Sequence, residues 1–125
     1  MTSGRARDRS LLPAAVAVIV QLAVVYAPSA GGAPGVPHLD KLVHASVFAL
    51  PVLLGLLARL PLVPVVVVMA LHAPVSEVLQ GTLLPQRSGD PWDAVADLVG
   101  VALGAVVATV VLRRSRAGVE VAVER

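Results

Sequence analysis

No cysteine occurs among the 125 residues, which excludes a disulfide framework, a thiolate metal site, a redox pair and a cysteine nucleophile. Aromatic residues are 2% of the chain and the formal net charge is only +2, so the stacking surface and basic patch of a nucleic-acid binder are both missing. Charged residues are scarce as well: at 14%, against 57% hydrophobic, they are too few to cover a soluble domain. The sequence also contains no phosphate-binding glycine loop, nucleophile elbow or internal repeat.

What is present is a set of long apolar runs. They cover Leu11 to Ala27, Leu42 to Leu60, Leu62 to Leu84 and Asp93 to Leu112, at 17, 19, 23 and 20 residues. About 20 helical residues cross a hydrocarbon core of roughly 30 Å. Valine is abundant, but runs of this length show no alternating polar face, and a single span must pair every backbone group internally, so helices are expected rather than strands. The expected fold is an all-α integral membrane bundle of four transmembrane helices. It divides into an N-terminal segment 1–10, a membrane domain 11–112 and a tail 113–125, frayed from Ala117 onward.

The arginines orient this bundle. Arg5, Arg7 and Arg9 precede the first run, Arg59 lies between the second and third, and Arg113, Arg114 and Arg116 follow the fourth. All seven fall on one side of a four-span arrangement, leaving Lys41 and Arg87 opposite, as expected when both termini are cytoplasmic. Tyr26 and Trp92 then sit at the outer interface. A rival reading takes residues 1–30 as a secretory signal with small residues from Ala27 to Ala30; the apolar run is long for a signal core and Pro28 is awkward for cleavage, which favours retention. Residues 28–37, rich in Gly, Pro and Ala, read as an irregular outer loop.

The remaining polar residues concentrate at the outer side. Asp40, Lys41 and His44 open the second run, Glu77 and Gln80 share a face in the third, and Asp93 and Asp97 open the fourth, with Arg87 and Asp90 in the loop between. An ionised carboxylate inside a span costs on the order of 2.5–3.5 kcal/mol near the bilayer centre, so such groups turn inward and find partners. For Glu77 and Asp97 the available partners are Arg87, Lys41 and His44. The groups form either a structural lock on helix register or a binding pocket. Asp90, within Ser-Gly-Asp-Pro, is expected to cap a turn. His72 and Gln21 read as helix-to-helix hydrogen-bonding groups, and His38 as a solvated loop residue. Pro74 is expected to kink the third helix one turn before Glu77. Ala96, Gly100, Gly104 and Ala108 form a small-residue stripe suited to close helix contact.

Asp40-Lys41-x-x-His44, Glu77-x-x-Gln80, Pro85-x-Arg87, Asp93 and the Gly100 to Gly104 step together resemble the VanZ-like family of bacterial membrane proteins. The resemblance covers roughly residues 38–108. That family usually carries Asn where this chain has Asp97, so a permanent amide donor is replaced by a carboxyl. The resemblance implies a multi-pass protein of the cell membrane and cell envelope, linked to teicoplanin-type antibiotic resistance, and it implies no settled reaction.

Two functions follow. In the first, an extracytoplasmic pocket of Asp40, Lys41, His44, Glu77, Gln80, Arg87, Asp93 and Asp97 binds a membrane lipid headgroup, wall precursor or glycopeptide, with Arg87 gripping a phosphate or carboxylate. In the second, an outer-leaflet enzyme uses Glu77 as general base, His44 as acid and Arg87 as anion stabiliser. No organic cofactor is expected; the carboxylates offer a divalent cation a site bridging Glu77, Asp93, Asp97 and a substrate phosphate. Transport fits poorly, because almost no polar residue continues past His72. Reporter fusions test the topology: a fusion after Arg116 should report cytoplasm and one at Gly32 the exterior. An exterior signal after Arg116 would sink the four-span arrangement, and loss of the N-terminus by mass would instead support signal cleavage.

Overall fold

A computed structural model of the chain describes residues 10–28, 35, 37–85 and 87–123. Arg5, Arg7 and Arg9, most of the 28–37 loop and the small residues Ser29 and Ala30 lie outside the described residues. The described residues are all helical or connecting, in four helices: α1 (Leu12–Tyr26), α2 (Leu39–Leu57), α3 (Leu62–Leu83) and α4 (Pro91–Val123). Three of them, α2, α3 and α4, are long and apolar enough to cross a membrane. This is the helix set of a multi-pass membrane protein. α1, at 15 residues, is a shorter apolar helix, about 22 Å long by helical rise.

Local chemistry explains the boundaries. α1 has proline in its first turn, where the missing N–H is no loss. At the end of α2, Arg59 adopts a left-handed backbone (φ 73°). The Arg59 N–H donates to Leu56 O at 3.0 Å and the Leu60 N–H to Gly55 O at 3.0 Å, the paired bonds that close a helix C-terminus. Pro61 then sets up α3. Pro51 and Pro74 both lie inside helices, and α3 runs through Pro74 as a single helix although Ala70 O loses its amide donor there. α4 departs from expectation at its far end. It continues helical to Val123 rather than fraying at Ala117, because no proline interrupts residues 117–123.

α2 is central, packing against each of the other three helices, and its contact with α4 is the largest. The two run parallel: Lys41 meets Asp93, His44 meets Asp97, and Ala45 and Ala49 face Gly100 and Gly104. The small-residue stripe on α4 is what lets the backbones approach. A Cβ on Gly100 would collide with the Ala45 carbonyl, and one on Gly104 would stand 2.5 Å from Ala49 O. α1 lies antiparallel to α2, with Leu11 near Leu60 and Pro61 and Val25 near Arg87. At the end opposite Asp40, Arg59 and Arg116 line one small cavity with Leu56 and Thr109, so α2 and α4 bring their arginines to the same end.

Burial is reversed from that of a soluble protein. Gln21, His44, Ser76, Glu77, Gln80 and Asp97 are buried, while Leu12, Ile19, Val63, Val68, Leu71 and Leu83 are exposed. A hydrocarbon solvent does not drive apolar side chains inward, so the interior collects small and polar groups. Among the described residues an apolar cluster, including Phe48, Val52, Leu56, Met69 and Val101, fills the rest. Gly100→Ala should therefore destabilise the folded chain by about 1–3 kcal/mol through overpacking, read as a lower melting temperature in detergent. Gly118→Ala, where an added Cβ meets nothing, should not lower it.

Candidate functional site

The polar residues gather at the Asp40 end in two tiers. The outer tier is built on Lys41. Its ammonium donates to Asp40 Oδ2 at 3.0 Å, Asp90 Oδ2 at 3.0 Å and Asp93 Oδ1 at 2.9 Å, joining the starts of α2 and α4 and the loop before α4. Asp90 performs the capping role expected of it: Oδ1 accepts the Trp92 N–H at 2.9 Å, with Pro91 as the first helical residue. That backbone hydrogen bond, then the Lys41 ammonium, holds the Asp90 carboxyl below the usual carboxylate range. Trp92 itself is exposed, as suits a ring at a membrane boundary.

One turn deeper, His44, Glu77 and Asp97 are all buried. His44 Nδ1–H donates to Asp97 Oδ1 at 2.9 Å, stands 4.0 Å from Glu77 Oε1, and its Nε2 lies 3.7 Å from Asp93 Oδ2. Glu77 is held by two donors: the Asp90 N–H at 2.9 Å on Oε2 and Gln80 Nε2 at 3.3 Å on Oε1. Gly89 makes the first of these possible. A Cβ there would stand 2.7 Å from Glu77 O, so only glycine lets the loop lie this close to α3.

Among the described residues Arg87 meets no carboxylate, contrary to the expected partnership with Glu77 or Asp97. Its Nη1 donates to Gln80 Oε1 at 2.7 Å and Val25 O at 2.8 Å. Gln80 stands between, accepting from Arg87 and donating to Glu77. The guanidinium thus reaches α1, a tie through a backbone carbonyl that no side-chain pattern announces. Arg87 also lines a hollow of about 440 Å³ with Val24, Gly35, Leu39, Asp40, Val43 and His44.

A third polar group lies further along the bundle. Gln21 Nε2 donates to His72 Nδ1 at 3.4 Å, which leaves Nε2–H to donate to the Tyr26 hydroxyl at 2.9 Å. Phe48 stacks on the ring, centroids 5.4 Å apart. His72 and Gln21 are helix-to-helix hydrogen-bonding groups, as their isolation in apolar runs implies, and Tyr26 joins them. His38 is exposed, at the start of α2, with a left-handed backbone (φ 63°).

The structure therefore brings together Asp40, Lys41, His44, Glu77, Gln80, Arg87, Asp93 and Asp97, split into a lysine-centred tier, a histidine-centred tier and the Arg87–Gln80 arm. The chain matches no family model, no curated protein and no solved structure. The arm predicts a specific pattern of coupling. Arg87→Gln and Gln80→Leu should be strongly non-additive in detergent unfolding, with an interaction energy of about 1–2 kcal/mol. Arg87→Gln with Asp93→Asn should be additive, since no hydrogen bond joins them; equal coupling in both pairs would refute this wiring.

Proposed function

We propose that this chain is a VanZ-like, four-span protein of the cell membrane, both termini cytoplasmic, whose hollow at the Asp40 end opens outside the cell and binds the phosphate of a lipid-borne headgroup. One observation carries the reading: a single hollow combines Arg87 with the apolar side chains of Val24, Leu39 and Val43. Only Nη1 of that guanidinium is engaged by described residues. Nη2 and Nε remain to form the forked donor set that suits a phosphate, while the apolar wall suits the start of an acyl or prenyl chain. Membrane lipid and wall precursor share this chemistry. A glycopeptide carboxylate is the competing ligand, and wall-precursor binding is the version that connects to teicoplanin-type resistance.

The topology has its own support. α1 extends alongside α2 from the level of Leu60 to that of Arg87, so it accompanies the longer helices despite its 15 residues. Arg59 and Arg116 share the opposite end, the arrangement the positive-inside rule assigns to the cytoplasm.

An outer-leaflet enzyme is the second reading, favoured by the buried Asp97 behind His44 at 2.9 Å. A carboxylate there orients an imidazole for acid–base work, alongside Glu77 as the general base. A paired measurement separates the two. With the chain in vesicles containing phosphatidylglycerol, Arg87→Ala should lose headgroup binding by roughly tenfold or more on either reading, as expected for a charge-assisted hydrogen bond. Glu77→Gln should leave binding nearly intact. If Glu77 is a general base, the same change should reduce turnover by about 10² or more; a pure binder shows only a modest change in envelope phenotype. Unaltered binding by Arg87→Ala would defeat the headgroup reading.

A further inference from the structure

Lys41 shows how this fold satisfies clustered carboxylates: one cation stands at 2.9–3.0 Å from Asp40, Asp90 and Asp93. The deeper tier is differently made. His44, Glu77 and Asp97 each offer a donor atom, and these atoms lie within 4.8 Å of one another. Among the described residues, no lysine or arginine comes within 4.0 Å of either Glu77 or Asp97. The Asp97 side chain is 0% exposed. Its carboxylate faces His44 through Oδ1, and Oδ2 is buried with no hydrogen-bond partner among the described residues. An orphaned carboxylate oxygen in such an interior is costly and calls for a ligand.

We propose that His44, Glu77 and Asp97 form a binding site for a divalent transition-metal ion of the Zn²⁺ or Mn²⁺ type. The donor set decides the class. One imidazole and two carboxylates suit these ions, whereas Ca²⁺ and Mg²⁺ favour oxygen alone. Two carboxylates and a neutral imidazole carry two negative charges, which a divalent ion cancels. Geometry agrees: ligands bonded at about 2.1 Å to one ion stand about 3.0–3.4 Å apart. His44 Nδ1 and Asp97 Oδ1 are already at 2.9 Å, and Glu77 Oε1, at 4.0 Å from Nδ1, has less than about 1 Å to close. Metal binding at Nδ1 takes the neutral tautomer of His44 that carries its one proton on Nε2, facing Asp93, and a protonated ring releases its second proton to solvent. The supporting shell is in place, with the Asp90 N–H and Gln80 holding Glu77. Asp93, which the sequence pattern places among the metal ligands, belongs instead to Lys41. His44 also lines the hollow beside Arg87, so a water or ligand oxygen from there completes the coordination.

The test needs no phospholipid, so its failure and that of the headgroup reading are separate outcomes. The full chain in detergent, stripped with chelator, is titrated with Zn²⁺, Mn²⁺, Co²⁺ and Mg²⁺. One Zn²⁺ or Mn²⁺ per chain should bind more tightly than Mg²⁺ and raise the melting temperature, and Co²⁺ should give visible absorption bands of a nitrogen–oxygen site. Asp97→Asn and His44→Gln should each weaken binding at least about tenfold and abolish the bands. Ser115→Ala, at the far end of α4 where the hydroxyl donates to the Val111 carbonyl, should leave both unchanged. A wild-type chain with no Co²⁺ bands and the same melting temperature with and without Zn²⁺ would overturn the proposal, as would an Asp97→Asn chain that binds Zn²⁺ like wild type.

Discussion

The close parallel contact between α2 and α4 is the constraint on which the rest of the structure depends. Gly100 and Gly104 admit the backbone of α2 at Ala45 and Ala49, and that approach sets the register of everything above it. With the backbones in contact, Lys41 falls on Asp93 and His44 on Asp97. A side chain at either glycine would force the helices apart and separate both pairs. Dispersion between closely packed backbones replaces the hydrophobic effect that would join these helices in water.

The polar residues reinforce this contact because a lipid interior penalises unpaired groups heavily. Each of the three polar layers crosses between helices. Lys41 ties α2 to α4 and the preceding loop, His44 ties α2 to α4 beside Glu77 of α3, and His72 ties α3 to α1 through Gln21 and Tyr26. Arg87 closes the set by reaching the Val25 carbonyl at the end of α1. A structural lock and a binding site are therefore not exclusive here, since the groups that fix helix register also surround the hollow. What sets the deeper tier apart from a simple lock is Asp97 Oδ2, which register leaves without a partner among the described residues.

Much of the architecture was legible from composition and spacing. Long apolar runs, arginines at their ends and the four-residue repeat of small residues specify helices, their approximate limits and one close contact face, because each is a local property of the chain. The cluster of titratable residues at one end was legible for the same reason, and so was the capping role of Asp90. Tertiary structure alone decided the pairing. Which cation meets which carboxylate depends on helix order and register, and so Arg87 went to Gln80 and Val25 O while Lys41 took Asp93. The approach of Gly89 to Glu77 and the orphaned oxygen of Asp97 are likewise products of packing between segments distant in sequence, on which the local pattern of residues has no purchase.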